Sequence, residues 1–331
     1  MRRILLILPF LLYVAQVCIA QKMNGVSFVS PPRGLEAGVM KPIKDVGANW
    51  IAISPFAFSR AGEPAVTFNS PRQWWGERAE GVAAIVKAAR TEKLKVMLKP
   101  HVWVREQGWA GDFTLTSESD WKVWEQSYEI YILTMARLAD SLRIELFCVG
   151  TEYRKATTLR PQFWKSLIAK VRAVYKGKLT YAANWDEYED IAFWSDLDYI
   201  GINAYFPLVD SDTPSVTMLL AAWKVPALAI KTVQQKFSKP VIFTEYGYQS
   251  TNRAVWKQWE LEGKWFKPVN LAAQVNGYEA LYQAVWREAW FAGGFIWKWY
   301  PKRDAGGESN TDYTPQRKPV EATIQKWYRV N

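Results

Sequence analysis

The sequence is poor in the two residue types that most often bind transition metals. Only two cysteines and one histidine, His101, occur in 331 residues. Iron–sulfur clusters and zinc sites built from cysteine or histidine need several such ligands, so both classes are excluded. A single histidine also leaves only one candidate base for Ser-His or Cys-His catalysis. Any chemistry of this chain must therefore depend mainly on other side chains.

Clusters of like charge are missing as well. Lysine and arginine outnumber aspartate and glutamate by 42 to 32, but no run of five or more basic residues occurs. Proteins that bind nucleic acid typically gather their basic residues into a stripe or patch. We therefore expect a solvated basic surface and no nucleic-acid partner. The alternative, a basic protein that binds nucleic acid or an anionic surface, predicts salt-sensitive DNA binding.

Composition and motifs leave out several further classes. Hydrophobic residues make up 49% of the chain and charged residues 22%, which excludes disorder, a collagen-like fibre and a disulfide scaffold. The sequence has no Gly-x-Ser-x-Gly nucleophile elbow and no phosphate-binding loop, and no Gly-x-Gly-x-x-Gly turn follows the first predicted strand. We expect neither a metal nor an organic cofactor.

The first twenty residues have the pattern of a secretory signal peptide. A basic start precedes an apolar segment at 4–17, and Cys18-Ile19-Ala20 places small residues at positions −3 and −1 of a cut before Gln21. We therefore predict residues 1–20 as a signal peptide and residues 21–331 as the mature catalytic domain. The mature chain is then exported, to the periplasm or the extracellular space.

Two alternatives for this segment stay open: an uncleaved membrane anchor, and a lipoprotein anchored through Cys18. Val17 disfavours the second, because a small residue is expected before the modified cysteine. After cleavage the net charge falls to +8 and Cys148 is the only cysteine left, so no internal disulfide can form. Cys148 lies in an apolar run and is expected to be inert core. We expect no later stretch to span a bilayer and no stable membrane insertion of the mature chain.

Short apolar runs alternate with segments of helical periodicity along the rest of the chain. Several runs are continuous stretches of apolar or β-branched residues, as in buried parallel strands. Eight runs are predicted as strands: Asn24–Val29, Asn49–Ser54, Leu94–Lys99, Ile144–Gly150, Leu179–Ala183, Tyr199–Asn203, Val241–Thr244 and Gly294–Trp297. Between them, four segments have apolar residues at helical spacing: Ala79–Lys93, Ser119–Leu142, Pro161–Tyr175 and Ala272–Trp290.

Alternation of this kind implies a parallel sheet with helices packed outside it. Eight strands suggest closure into a single (β/α)8 TIM barrel, an α/β fold. An open doubly wound sheet is the alternative. No linker, repeat or break in composition divides residues 21–331, so we predict one domain. The stretches Ser211–Pro226 and Lys302–Pro315 are predicted as long loops on the side where the strands end.

Reactive residues of such barrels lie just past the carboxyl ends of the strands. Glutamates follow the fourth and the seventh predicted strands, at Glu152 and Glu245. These strands lie roughly across the mouth of the barrel from one another. Glycoside hydrolysis requires two facing carboxyl groups: one protonates the leaving oxygen, and the other attacks the anomeric carbon or activates water. We therefore predict Glu152 and Glu245 as the catalytic residues of a glycoside hydrolase.

Aromatic residues make up 15% of the chain, with 19 tryptophans. Flat aromatic faces suit the C–H faces of sugar rings. The position of His101 directly after the third strand favours a substrate contact, while ordinary packing is the alternative for His101 and for Trp297. Further polar and aromatic residues at the strand ends are Trp103, Asn184, Trp185 and Tyr205.

Other acidic residues fit the catalytic role less well. Glu145 lies near the start of the fourth strand, on the face associated with stability, and Glu125 and Glu129 lie on the solvated side of a predicted helix. Asp186 and Glu187 follow the fifth strand and are stronger rivals. Their alternative role is that of acidic residues in the first turn of the next helix.

Several of these segments resemble retaining glycoside hydrolases of clan A, and most closely family 113, the β-1,4-mannanase family. The resemblance extends over nearly all of residues 24–328, and the spacing of the two glutamates is a fairly specific part of it. The matching pieces are Leu98-Lys99-Pro100-His101-Val102-Trp103, Val149-Gly150-Thr151-Glu152, Gly201-Ile202-Asn203-Ala204-Tyr205-Phe206-Pro207, Phe243-Thr244-Glu245-Tyr246-Gly247, Thr314-Pro315-Gln316-Arg317-Lys318-Pro319 and Trp327-Tyr328.

The resemblance implies a role for each residue that matches. Glu152 would be the acid/base and Glu245 the nucleophile. Tyr205 would form a hydrogen bond near the nucleophile, and Trp297 would lie beneath the sugar in the cleaved subsite. With the remaining strand-end residues, the predicted substrate contacts are His101, Trp103, Asn184, Trp185, Tyr205 and Trp297.

One position departs from the pattern of the clan. Many members carry asparagine directly before the acid/base, where it binds the sugar 2-hydroxyl, whereas this chain has Thr151. The residue that contacts the 2-hydroxyl therefore stays unassigned, although the axial 2-hydroxyl is what distinguishes mannose.

A double displacement with net retention follows from the glutamate pair. The two carboxyl groups are then expected about 5–5.5 Å apart, whereas a separation near about 9 Å would indicate inversion. The negative charge of Glu245 should raise the pKa of Glu152. We expect a β-1,4-mannan or manno-oligosaccharide as the substrate. The alternatives are a hydrolase or transglycosylase acting on another β-linked glycan, and a carbohydrate-binding barrel without catalysis.

Overall fold

The computed structural model describes residues 21–261 and 267–330. Within them, eight parallel strands form a closed barrel with helices on the outside. The predicted (β/α)8 barrel is confirmed, and the open doubly wound alternative is wrong, because the first barrel strand pairs with both the second and the last. The predicted signal peptide, residues 1–20, lies outside the described residues.

All eight predicted strands are confirmed as barrel strands. The strands of the described residues are β1 (Met23–Phe28), β2 (Trp50–Ile53), β3 (Phe56–Arg60), β4 (Lys95–Leu98), β5 (His101–Arg105), β6 (Leu146–Thr151), β7 (Lys178–Asn184), β8 (Ile200–Asn203), β9 (Val241–Tyr246) and β10 (Phe291–Trp299). Around the barrel the eight strands follow the order β1, β2, β4, β6, β7, β8, β9 and β10, and β3 and β5 form a separate two-stranded sheet.

Burial on both faces explains why these strands have continuous apolar sequences. Every residue of β1, β6 and β9 is buried, because side chains point alternately into the barrel and toward the helices. Inside the barrel, Trp50, Met97 and Phe295 belong to one apolar cluster. A Cβ at Gly25 would collide with the ring of Phe295, so glycine lets that ring fill the barrel interior.

Four helices coincide with the predicted segments, namely α2 (Ala79–Thr91), α3 (Glu118–Ser141), α5 (Pro161–Val174) and α7 (Leu271–Leu281). A π-helical turn at Tyr282–Trp286 continues the last of them. The connection between β7 and β8 contains only a short 3-10 turn, Trp194–Asp196. The helices of the described residues are α1 (Lys41–Asp45), α2 (Ala79–Thr91), α3 (Glu118–Ser141), α4 (Arg154–Leu159), α5 (Pro161–Val174), α6 (Val216–Phe237), α7 (Leu271–Leu281) and α8 (Val320–Val330).

Helix α6 corrects two expectations. The predicted loop at 211–226 is wrong, because the helix begins at Val216, where the Ser215 side chain accepts a hydrogen bond from the backbone of Met218. The helix then continues through Pro226, with Leu219, Trp223, Ile230 and Val233 buried along its length. By length and composition, α6 is also apolar enough to cross a membrane, contrary to the expectation that no later stretch would be. The predicted loop at 302–315 is confirmed as free of helix and strand.

The sheet of β3 and β5 was not predicted. Each strand continues a barrel strand after a short break, at Ser54-Pro55 before β3 and at Lys99-Pro100 before β5. Because proline has no N–H to donate, it interrupts the ladder of a strand. Beyond the break, the backbone N–H of His101 donates to the carbonyl of Pro55 over 2.9 Å, which keeps the two strands side by side above the barrel.

Candidate active site

Both candidate glutamates lie at the carboxyl end of the barrel. Glu152 directly follows β6, and Glu245 is the fifth residue of β9. Glu152 has a φ of +53°, in the left-handed region, and its backbone N–H donates to the carbonyl of Ala182 over 2.9 Å. The end of β7 thus fixes the turn that presents Glu152.

The carboxylate of Glu245 is almost entirely buried and has two hydrogen-bond donors. The Lys99 ammonium, whose side chain has no exposed surface, donates to Oε1. The Tyr205 hydroxyl donates to Oε2 over 2.8 Å. Since a buried carboxylate without a partner costs several kcal/mol, Lys99 compensates the negative charge while Tyr205 orients the group.

Neutral groups surround this ion pair. His101 Nε2 lies 3.7 Å from Glu245 Oε1, and burial, aided by the charge of Lys99, lowers the pKa of His101 well below its usual value. Burial, with the nearby charge of Glu245, raises the pKa of Tyr205 well above its usual value. His101 is therefore a neutral imidazole and Tyr205 a neutral hydroxyl at physiological pH.

Glu152 has a different environment. The Trp109 indole N–H donates to Oε2 over 2.7 Å and the Asn203 amide donates to Oε1 over 2.8 Å. Burial raises the pKa of Glu152 to about 7, with the charge of Glu245 as the second cause, and the two hydrogen bonds act in the opposite direction. A carboxyl with this pKa can both donate and accept a proton near neutrality.

Asn203, the last residue of β8, links the two carboxyl groups. Its Nδ2 donates to Glu152, and its Oδ1 accepts from the hydroxyl of Thr244 over 2.8 Å. Thr244 directly precedes Glu245 in β9. The separation of the two carboxyl groups thus depends on packed barrel strands and not on loops.

The structure brings several of the predicted substrate contacts close to the glutamates. The Trp297 ring lies parallel to His101 at 6.4 Å, and the Lys99 ammonium is 5.4 Å from the Trp297 ring centre. His101 and Tyr205 therefore adjoin Glu245, and Trp297 adjoins its partner Lys99.

The other predicted contacts lie elsewhere on this side of the barrel. Asn184 pairs along the strands with Asn203, the partner of Glu152, and its side chain donates to Asp186. Trp185 stacks on Trp259 at 5.5 Å, and Trp103 lies on β5 with half of its surface exposed.

The rival acids have other roles. Asp186 pairs with Arg154 over 2.9 Å. Glu187 is buried and accepts a hydrogen bond from the Tyr181 hydroxyl, and burial raises its pKa well above the usual value. No helix begins at these residues, so the expectation that they start one is wrong. Tyr181 in turn accepts from the backbone N–H of Tyr153 over 2.7 Å, which makes Glu187 part of the support behind Glu152.

Thr151 does not replace the missing asparagine in an obvious way. Its hydroxyl points inward and donates to the carbonyl of Pro100 over 3.4 Å, and only 7% of the residue is exposed. A sugar hydroxyl would have to displace that bond. Among the residues described, the side-chain amide that contacts Glu152 is that of Asn203.

Lys99, Trp109 and Asn203 belong to the site, but sequence reasoning did not select them. Lys99 and Asn203 stand at the ends of predicted strands, and a lone lysine after the apolar run Val96-Met97-Leu98 is a signal for a buried charge partner. Trp109 gives no such signal, because it follows β5 in a loop and reaches Glu152 only through the tertiary fold.

Comparisons with known proteins identify a family and a shared fold. The family model for glycoside hydrolase family 113 matches residues 36–318. A β-mannanase of that family from Alicyclobacillus acidocaldarius is 26% identical, with a TM-score of 0.81 over 94% of this chain and 98% of the other. A second solved β-1,4-mannanase of the family is 23% identical, with a TM-score of 0.79 over 94% and 100% of the two chains. No curated protein matches the sequence.

Proposed function

Because the chain belongs to glycoside hydrolase family 113, we propose that it hydrolyses β-1,4-linked mannan or manno-oligosaccharides with retention at the anomeric carbon. Glu245 is the nucleophile and Glu152 the acid/base of this proposal. The β-mannanases that share the fold support mannan as the substrate. We also propose that cleavage before Gln21 exports the enzyme to the periplasm or the extracellular space.

The observation that carries the mechanism is the different environment of the two carboxyl groups. Glu245 faces the Lys99 ammonium, whereas Glu152 is partly buried against neutral donors, and its pKa is raised to about 7. A carboxylate held by a cation is suited to attack, and a carboxyl of raised pKa is suited to protonate a leaving oxygen. Two carboxyl groups with divergent environments divide the acid and nucleophile roles between them.

The reaction then takes two steps. In the first, a Glu245 oxygen bonds to the anomeric carbon while Glu152 gives its proton to the glycosidic oxygen, and the bond between that carbon and oxygen breaks. The ester at Glu245 carries no negative charge, so the pKa of Glu152 falls and it becomes a base. In the second step, Glu152 takes a proton from water as the water oxygen attacks, and Glu245 leaves as a carboxylate.

The substrate and the stereochemistry are tested together. The mature chain, residues 21–331, should release reducing ends from β-1,4-mannan and glucomannan but not from xylan or cellulose. The length of the first products separates internal from terminal cleavage. Proton NMR during the first minutes should show the β-anomer as the initial product. An initial α-anomer would overturn the double displacement, and cleavage of another polymer alone would overturn the mannan assignment.

Activity should fall as the pH rises through about 7. The first step needs a protonated Glu152, whose pKa is raised to about 7, so kcat/KM on an unactivated mannoside should be lost on the alkaline side and not on the acid side of that value. The measurement is kcat/KM from pH 5 to pH 9. A Glu152→Gln control, which cannot titrate at this position, should have low activity and no decline centred near pH 7. A wild-type profile that stays flat to pH 9 would contradict the assignment.

A further inference from the structure

The two-stranded sheet above the barrel has one face that leads outward from Glu245. β3 and β5 pair in parallel, with Phe56 opposite His101, Phe58 opposite Trp103 and Arg60 opposite Arg105. Side chains two residues apart on a strand point to the same side of a sheet. One face is therefore formed by these six residues, and we call it the ribbon face: Phe56, Phe58, Arg60, His101, Trp103 and Arg105.

Burial shows which way this face points. On the opposite face, Ala57, Val102 and Val104 are buried in the main apolar core. On the ribbon face, Trp103 is 50% exposed, and Arg60 and Arg105 are exposed. His101 begins this face and lies 3.7 Å from the Glu245 carboxylate. The ribbon face therefore opens toward the mouth of the barrel and starts at the nucleophile.

Aromatic side chains occupy the first two cross-strand pairs of the ribbon face, Phe56 with His101 and Phe58 with Trp103. Trp297 lies parallel to His101 at 6.4 Å, and His101 contacts Phe56 at 5.0 Å. Farther out, the Arg105 guanidinium lies 5.4 Å from the ring centre of Phe58. A tryptophan that keeps half of its surface in water, within a row of rings that ends at a reactive carboxylate, has the chemistry of a sugar platform.

We propose that the ribbon face binds the glycone side of the substrate, that is, the neutral β-linked sugars beyond the one that Glu245 attacks. The attacked sugar lies at Glu245, and the leaving sugar begins at the oxygen that Glu152 protonates. The ribbon face starts at Glu245 and His101, on the side of the attacked sugar. Sugars bound along this face therefore belong to the glycone. Trp103 lies about 7 Å beyond His101 along the strand, roughly one sugar unit farther out. The inference rests on the proposed function, because it names binding positions of the same reaction.

The test uses nitrophenyl β-mannosides with one, two, three or four mannose units. The aglycone is constant in this series, so every added sugar must bind on the glycone side. For the wild type, kcat/KM should rise as sugars are added. In Trp103→Ala, the rise in kcat/KM should be smaller by on the order of tenfold. The kcat/KM on the one-sugar substrate should be unchanged. Phe58→Ala should act in the same direction.

A matched control is Trp290→Ala. Trp290 lies in the turn before β10, at the opposite end of the barrel, so this variant should follow the wild type across the whole series. Circular dichroism establishes that each variant is folded before rates are compared. An equal loss on all four substrates would overturn the proposal, since Trp103 would then act on the reaction itself. An undiminished rise with chain length in Trp103→Ala would overturn it as well.

Failure of the proposed function has a different outcome. If the wild type cleaves no mannoside but cleaves the matching glucosides or xylosides, the mannan assignment fails, and the ribbon face is tested with the length series of that sugar. If the wild type shows the rise and Trp103→Ala keeps all of it, the reaction stands and the glycone assignment alone is wrong.

Discussion

Replacing Glu152 by alanine should slow hydrolysis of unactivated mannosides by about 10²–10⁴-fold. The loss should be much smaller for formation of the glycosyl-enzyme from a dinitrophenyl mannoside, because that leaving group departs without a proton. The measurement is the rate of the first step with each substrate. Equal losses on both leaving groups would contradict the acid role. Glu129→Ala, which removes a surface carboxylate paired with Lys170, is the matched control and should retain full activity.

Azide should distinguish the role of Glu152 further. In the alanine variant, azide fits the space left by the carboxyl and can attack the glycosyl-enzyme from that face without a base. The product should be a mannosyl azide of retained configuration, with a rate that rises with azide concentration. An azide product of inverted configuration would mean that the variant lacks the nucleophile and would exchange the two assignments.

The Glu245→Ala variant should lose activity on both activated and unactivated substrates, on the order of 10⁴-fold or more, as nucleophile variants do. Without this carboxylate no ester can form, so azide should now give the inverted mannosyl azide directly from the substrate. Mass spectrometry with a fluorinated mannoside should show a covalent adduct in the wild type and none in the variant. An adduct that persists in Glu245→Ala would place the nucleophile elsewhere.

A stability control belongs with this variant. Removing one partner of a buried ion pair costs about 3–5 kcal/mol, and Glu245→Ala leaves the Lys99 ammonium buried without its carboxylate. Glu245→Gln keeps the side-chain volume and an oxygen that can accept from Lys99 or Tyr205. It should therefore unfold at a higher temperature than Glu245→Ala and be equally inactive. Recovery of activity in Glu245→Gln would show that the loss came from misfolding.

The barrel was predictable from the sequence because its strands are buried on both faces. Continuous apolar runs such as Val241–Thr244 carry their own signal, and the order of eight such runs leaves few folds to consider. The elements that were not predicted correctly are α6, β3 and β5. In each, packing in the folded protein outweighs the local preference of the sequence. Pro226 indicated a loop, but buried side chains on both sides of it hold α6 together. Pro55 and Pro100 lie just beyond two predicted strands. The sequence therefore contains no sign that the chain forms a second strand after each proline, as it does in β3 and β5.

The two candidate glutamates stand out in the sequence, whereas the residues that surround them in the structure do not. Glu152 follows a buried strand and Glu245 lies near the end of another, and a charge at such a position stands out in the sequence. The partners of a buried charge need not be close in the chain. Lys99 is 146 residues from Glu245, and Trp109 is 43 residues from Glu152. Only the closed barrel brings these side chains together.

The left-handed backbone at Glu152 lowers the stability of the fold at a residue that the proposed reaction needs. A non-glycine residue in this conformation costs about 1 kcal/mol or more, and the partly buried carboxyl at the same residue adds a cost when it ionises. Glycine would adopt a φ of +53° without strain. On the proposed mechanism, substitutions at 152 should therefore increase thermostability while they abolish turnover, and selection for robustness alone would tend to remove this glutamate. In this enzyme, engineering for heat resistance should leave position 152 unchanged and look for stability elsewhere.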